Sequence, residues 1–417
     1  MSVARDPGSD ITADVLIIGG GFVGATLALA LAPTPLSVCL IDRADPETAL
    51  DATFDGRAFA ISQSNQLLLA GTGLWPLLAG TSAPILDIRV SDGPSLMFLH
   101  YDHAAVGDAP MGYMVENHHL RVALYERLKA HPNLIQLAPA SVASLERDLS
   151  GVRAVLADGR RVRARLAVGA DGRGSQTRTD AGIGLTSWSY EQTGIVCTVR
   201  HELSHDYIAH ERFLPAGPFA ILPLMGETPG TADRSSIVWT ERSALAPALM
   251  ALDDDAFGAE LMRRFGDFMG GVEVIGPRYA YPLSLQYARE TVATRLVLIG
   301  DAAHGMHPIA GQGLNMGLRD VAALAEVLAD AARLGLDVGD GMQLERYERW
   351  RRFDNTMMLA ATDALNRLFS NDVAPIRLAR DAGLAAVDAI PPLKRLFMRH
   401  AMGTVGDLPR LLRGQPL

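Results

Sequence analysis

The chain has 417 residues, 48% hydrophobic and 20% charged, with 40 Gly, 23 Pro, two Cys and a net charge of −9. A mean hydropathy just above zero excludes a disordered polyelectrolyte, and this length predicts two or three compact units around a large core. The acidic balance leaves no broad basic face for phosphate backbones, so nucleic acid is not an expected partner; Cys39 and Cys197, far apart, offer neither a disulfide framework nor a CxxC metal cage and point to a reducing compartment.

The first residues, Met1 to Asp14, carry Arg5, Asp6, Asp10 and Asp14 and lack the apolar core of a signal peptide, which predicts a cytoplasmic protein. No window approaches the roughly 20 apolar residues of a membrane-spanning helix. Val15–Ile18 is a short aliphatic run suited to a strand buried on both faces, and GGGFVG follows it directly. The residues ATLALALA favour a helix up to Pro33, and SVCLID, ending at Asp42, reads as a second buried strand. In this βαβ unit Gly19 permits the turn, Gly21 lets a pyrophosphate approach the backbone, and Gly24 allows close helix packing. Asp42 closes the second strand where a carboxylate accepts bonds from a ribose diol.

Further along, Asn117 to Leu128 reads as a helix capped by Asn117, and Arg153 to Val168 as short strands around the Asp158-Gly159 turn. Next comes GADGRGSQTR, from Gly169, a strand-to-helix turn in which Ser175 and Arg178 support a helix start. From Gly194 to Thr240, β-branched runs alternate with Gly and Pro turns, which predicts an antiparallel sheet. Within it HELSH, His201 to His205, satisfies the zinc-protease pattern HExxH, but that pattern needs a helix; the β-branched context predicts a solvated turn between strands.

Leu296 to Asp320 is the most informative stretch: four aliphatic residues, Gly300-Asp301, a Gly- and Pro-rich loop, then a helix starting near Gly313. Asp301 is placed to hold a sugar hydroxyl, and the N–H groups of Gly313, Leu314 and Asn315 point at whatever lies over the helix start. Such a site stabilises negative charge, which a reduced flavin acquires at its N1/C2 edge and a nicotinamide does not. A metal reading of Asp301, His304 and His307 competes, although the surrounding Gly and Pro residues oppose a helix that would gather them. Helical patterns continue to the end. From Pro391 onward, Lys394, Arg395, Arg399, Arg410 and Arg413 oppose Asp407 alone, so this tail is +4.

GGGFVG, DGRAFAIS from Asp55, GADGRGS and GDAAHGMHPIAGQGLN, in this order, resemble the single-component FAD-dependent aromatic hydroxylases with the p-hydroxybenzoate hydroxylase fold. More narrowly, GYMVEN, AHERFLPAGPFAILPL, YPLSL, RYERWRRFDN and LKRLFMRHAMG are similar to the ubiquinone-biosynthesis hydroxylase branch, the UbiH/UbiF/VisC family. The resemblance implies an α/β architecture: a Rossmann-like FAD-binding domain (1–80, 103–185 and 277–335), an inserted antiparallel β-sheet substrate domain (81–102 and 186–276) and a C-terminal helical region (336–417). It implies that Gly19, Gly21 and Gly24 cradle the FAD pyrophosphate, Asp42 holds the ribose, and Arg57 and Arg121 add donors. Asp171 and Gly172 would serve both FAD and a reduced nicotinamide. Asp301 would take the ribityl or pyrophosphate portion, and Pro308, Gly311, Gln312, Gly313, Leu314 and Asn315 would surround the isoalloxazine.

The activity implied is monooxygenation of a polyprenylated phenol, with electrons from NAD(P)H or a protein donor and dioxygen as co-substrate, through a flavin hydroperoxide. The protein's part is to exclude water and position the ring, and no acid or base residue is identified for it. No metal is expected. Phe219, Leu222, Pro223 and Trp239 are candidates for substrate contact, with core packing as their competing role. The basic tail, with Leu393, Leu396, Phe397, Met398, Leu411 and Leu412, suggests peripheral contact with the inner face of a membrane or with a biosynthetic complex, and a solvated helical cap competes. A small-phenol hydroxylase, a prenyl reductase and a non-catalytic flavin scaffold are the alternatives. The oligomeric state is open.

Overall fold

The computed structural model describes residues 10–50, 56–93, 98–131, 133–228, 230–307, 311–370 and 374–417. The aliphatic runs assemble as a six-stranded sheet in the order Val292–Ala293, Leu296–Leu298, Leu166–Gly169, Val15–Ile18, Val38–Ile41, Leu134–Leu137. All its neighbouring strands are parallel except the first pair. The three strands Val15–Ile18, Val38–Ile41 and Leu166–Gly169 are buried at every position, which is why they lack an alternating pattern. Helix α1 (Phe22–Leu31) is apolar nearly all round and buries Gly24 to Leu31, since it is covered on several sides. Helix α2 (Gln312–Arg333) packs along α1 and shares its core, with Leu318, Val321, Leu324, Val327 and Leu328 all buried. Full burial of each such side chain contributes about 1.5–3 kcal/mol.

An eight-stranded sheet follows the order His304–Gly305, Val272–Ala288, Leu185–His201, Arg234–Arg242, Gly217–Leu224, Ile208–Leu214, Asp87–Asp92, Phe98–Asp102. It is antiparallel apart from the Ile208–Leu214 and Asp87–Asp92 pair, which is parallel, with Glu211 opposite Val90. One face packs on Phe257, Leu261 and Phe265 of a short helix; the other looks across a cavity toward the six-stranded sheet. A three-stranded sheet of Ala58–Ser62, Gly112–Glu116 and Ala83–Ile85 joins the DGRAFAIS and GYMVEN segments, with Ala58 opposite Glu116. The helix after it spans Asn117–Lys129, but its cap position is Glu116, and Asn117 is buried in the first turn rather than capping it.

Helices α3 (Gly341–Phe369), α4 (Ala374–Ala389) and α5 (Pro391–Ala401) complete the chain with a final 3-10 turn, Arg410–Arg413. Leu411 and Leu412 in that turn are buried in the same core as α1 and α2, and Met398 packs against Met111. The tail residues therefore divide. Leu396 and Phe397 are exposed, whereas Met398, Leu411 and Leu412 hold the fold together. No helix among the described residues is long and apolar enough to cross a membrane.

Candidate active site

The first glycine corner is built as tightly as the sequence pattern requires. Gly19 has φ +108°, and a Cβ there would collide with the Ala170 carbonyl; a Cβ on Gly24 would collide with the Gly19 carbonyl, so α1 seats flush on the turn. Gly21, by contrast, has nothing within 4 Å of where a Cβ would stand, and no side chain caps the start of α1. The first-turn N–H groups are thus left to a ligand. Asp42 receives the N–H groups of Gly20 and Ala44, which fixes its carboxylate beside the corner. Gly20 escaped the motif reading: a side chain there would press on Asp42 at 2.9 Å.

The second corner repeats this plan. After Leu296–Leu298 the chain makes a 3-10 turn at Gly300–Ala302, and α2 begins after Gly311, which is left-handed at φ +62°. The start of α2 also lacks a side-chain cap, and the position above Gly313 is open. The Asn315 side chain is committed to the protein. Its Oδ1 accepts from Ser62 N (2.9 Å) and Asn65 Nδ2 (2.9 Å), and its Nδ2 donates to Ala60 O (2.8 Å) and Gly311 O (3.1 Å). Asn315 therefore locks the helix start to the Ala58–Ser62 strand, and its side chain is committed there rather than to a ligand. Pro308 lies outside the described residues.

Behind this corner sits a buried ionic triad. Asp320 accepts from Gly300 N (3.0 Å), His304 Nε2 (2.6 Å) and Arg351 Nε (2.8 Å). Burial alone would raise the Asp320 carboxyl, but the His304 and Arg351 charges and hydrogen bonds outweigh it and hold it well below the carboxylate range. His304, which burial would push down, is raised by Asp320. Asp301 instead opens toward the cavity; loss of water pushes its carboxyl up, with Arg173 and His304 opposing. The competing metal set is therefore not gathered, because His304 turns to Asp320 and His307 lies buried, edge-on to Tyr190 at 5.2 Å.

The HELSH segment is not a metal site either, and it differs from the expected solvated turn. His201 and His205 are buried, with His201 bonded to Leu203 O and Ser235 Oγ, and His205 to Leu224 O and the Tyr207 N–H. In the GADGRGSQTR turn, Asp171 accepts from Ser175 Oγ, Thr177 N and Thr177 Oγ1. Its carboxylate shapes the loop, while Gly172 and Arg173 reach the cavity lining. Arg57 also lines the cavity; Arg121, half-buried on the Asn117–Lys129 helix, is not among the lining residues.

Both corners open into one cavity of about 1180 Å³. Gly21, Arg57, Gly172, Asp301 and Gly311 to Asn315 line one side, and the eight-stranded sheet forms the other. Strand alternation sorts the four candidate contact residues. Leu222 faces the cavity beside Pro218 and Ala220, but Phe219 and Trp239 point to the opposite face and are core residues there. Pro223 is buried and outside the lining. Sequence reasoning missed the true sheet lining, including Val90, Tyr101, Glu211, Val238 and Tyr281, because hydrophobic content does not reveal which face of a strand meets the cavity.

These residues fit a dinucleotide flavin: two uncapped helix starts and two positions open above glycine share one cleft, and Asp42, outside the cavity lining, is fixed beside the first corner. The FAD binding domain family matches residues 12–358. The chain is 59% identical to the ubiquinone hydroxylase UbiL of Rhodospirillum rubrum, over 98% of this chain and 94% of that protein. It is 35% identical to the 3-demethoxyubiquinol 3-hydroxylase of Escherichia coli K12, over 94% and 98%. The crystal structure of p-nitrophenol 4-monooxygenase PnpA from Pseudomonas putida DLL-E4 aligns with a TM-score of 0.76 at 19% identity, covering 94% of this chain and 98% of that one, which shows the shared fold. With the corners, the cleft and these relatives in agreement, the chain belongs to the FAD-binding-domain family and, within it, to the ubiquinone-biosynthesis hydroxylases.

Proposed function

We propose that this protein hydroxylates the aromatic ring of a polyprenylated phenol in ubiquinone biosynthesis, using FAD, dioxygen and electrons from NAD(P)H or a protein donor. The observation that carries this reading is the single cavity that runs from the two glycine corners to a mouth framed by α3, α4 and α5. FAD, when bound, supplies the redox chemistry and the activation of dioxygen. The chain supplies the rest. The α1 N-terminus and Gly21 bind pyrophosphate, Asp42 takes the ribose, and the α2 N-terminus offers N–H groups and positive dipole to the electron-rich edge of the ring system. Ile85, Val90, Leu99, Ala220 and Val238 exclude water and hold the phenol ring flat against the sheet.

The mouth suits the prenyl tail. Leu365, Leu368 and Phe397 line the cavity and keep much of their surface accessible, with Leu396 exposed beside Phe397 and the cations Arg395 and Arg399 on the same helix. Each methylene kept from water is worth roughly 0.8 kcal/mol, so a tail leaving here favours lipid over solvent. We assign the FAD-binding part to 1–80, 103–185 and 277–335, the substrate part to 81–102 and 186–276, and the C-terminal helical region to 336–417. The test is oxygen consumption by the FAD-loaded protein with reductant and a prenylated phenol. Consumption that depends on the phenol and yields a ring-hydroxylated product is expected; phenol-independent consumption with unchanged phenol would overturn the reading in favour of a non-catalytic scaffold.

A further inference from the structure

On the cavity side of the eight-stranded sheet, ladder partners place one row of side chains in register: Leu99, Val90, Glu211, Ala220, Val238 and Val196. All six line the cavity, and five are apolar. Glu211, half-buried in the cavity wall, makes no hydrogen bond or ion pair with any described residue, although carboxylates in apolar surroundings are usually paired. The ionisable groups on neighbouring elements are already engaged or turned elsewhere. Asp92, farther along the adjacent strand, and Arg380 of α4 are bonded to each other at 2.8 and 3.1 Å. Tyr101 is a half-buried phenol whose hydroxyl is pushed up to about 12 by loss of water, and Arg212 lies on the reverse face, bonded to the Arg264 and Phe265 carbonyls. His210 is also turned to that face, its ring 4.9 Å from Phe268, and Arg89 is the remaining cation of the adjacent strand. Burial pushes the Glu211 carboxyl up to about 7, and no neighbouring charge contributes.

We propose that Glu211 is a catalytic residue that accepts the hydrogen bond, and then the proton, of the substrate's ring hydroxyl. The inference rests on the hydroxylase reading above. As the ring carbon forms its new C–O bond to an oxygen atom released by cleavage of the dioxygen O–O bond, the other oxygen leaving as water with two electrons from the reductant, the hydroxyl O–H bond breaks, its electron pair forms the ring C=O bond, and the proton moves to a Glu211 oxygen. When that carbon releases its own hydrogen as a proton to water and aromaticity returns, the carboxyl gives its proton back to the ring oxygen, so no oxidant or reductant is needed beyond dioxygen and the electron donor of the hydroxylase reading. A base poised near neutrality in an apolar pocket suits this transfer, and such a base contributes about 100-fold or more to rate. The surrounding aliphatic row carries no competing acceptor, which would also fix the orientation of the ring.

The experiment compares wild type with Glu211→Gln and Glu211→Asp, all FAD-loaded, using a short-chain prenylphenol and its O-methyl ether. Wild type is expected to bind the phenol at least tenfold more tightly than the ether at pH 8 and to lose that preference below pH 6. Glu211→Gln should keep its FAD and its reduction, bind phenol and ether alike, hydroxylate about 100-fold more slowly and lose the pH dependence, with Glu211→Asp recovering part of the rate. Hydroxylation by Glu211→Gln within twofold of wild type and with the same pH profile would overturn the proposal. If the variants fail to fold, wild type alone decides, because equal binding of phenol and ether across the pH range overturns it. Wild type that shows the binding preference but adds no oxygen would overturn the hydroxylase reading and the proton transfer while supporting the hydrogen bond.

Discussion

Gly21 and Gly19 stand two residues apart in one corner, yet they answer to different constraints. Gly19 is fixed by backbone it would strike, whereas Gly21 faces open space that only a ligand fills. Gly21→Val is therefore expected to leave urea stability of the FAD-free protein unchanged and to weaken FAD binding tenfold or more, about 1.4 kcal/mol, as read by flavin fluorescence titration; unchanged FAD affinity would contradict the cradle. Asp320 gives a stability prediction. Removing one partner of a buried ion pair costs about 3–5 kcal/mol, so Asp320→Asn should lose that much in urea unfolding near pH 7. The pH dependence has two limbs. The depressed Asp320 carboxyl contributes stability above the ordinary carboxylate range and loses it as pH falls through its lowered value; the raised His304 contributes below its ordinary range and loses it as pH rises through its raised value. Both limbs should flatten in the variant. Single-residue roles were legible where the backbone dictates the residue, as at Gly19, Gly24 and Gly311. They were illegible at Phe219, Trp239 and Glu211, because a one-residue step along a strand moves a side chain from core to cavity.

At the scale of elements, the parallel strands were readable because burial on both faces leaves an unbroken aliphatic signature, and α1 because it has no polar face. The parallel pairing of Asp87–Asp92 with Ile208–Leu214 was not readable, since it joins segments more than a hundred residues apart and carries no local turn signal. The C-terminal helices show the same limit. A basic, leucine-rich tail suggested one amphipathic surface, but the fold separates Leu411 and Leu412, buried in the core beside α2, from the exposed Leu396 and Phe397 of α5. Truncation at Pro391 would therefore expose core and confuse a binding assay with a folding defect. The informative variant is Leu396→Ser with Phe397→Ser, which should keep thermal stability within a few degrees and weaken co-sedimentation with anionic lipid vesicles by about 100-fold in affinity, since each exposed apolar side chain contributes about 1.5–3 kcal/mol when buried. Equal sedimentation of wild type and variant would remove α5 from any membrane contact.

For the molecule as a whole, two glycine corners about 290 residues apart in sequence converge because one parallel sheet carries both, with Val15–Ile18 and Leu296–Leu298 flanking Leu166–Gly169. The eight-stranded sheet then closes the cleft they open, and the last three helices leave its mouth apolar. Under the proposed function, the corners bind the flavin, the sheet orients the phenol and α3–α5 give the prenyl tail access. Incubating the FAD-loaded protein with reductant, a prenylated phenol and ¹⁸O-labelled dioxygen, followed by mass spectrometry of the phenol, tests this division most directly. One labelled oxygen atom on the aromatic ring is the predicted result. Reduced and reoxidised protein that leaves the phenol unlabelled, or that adds oxygen from water, would contradict it.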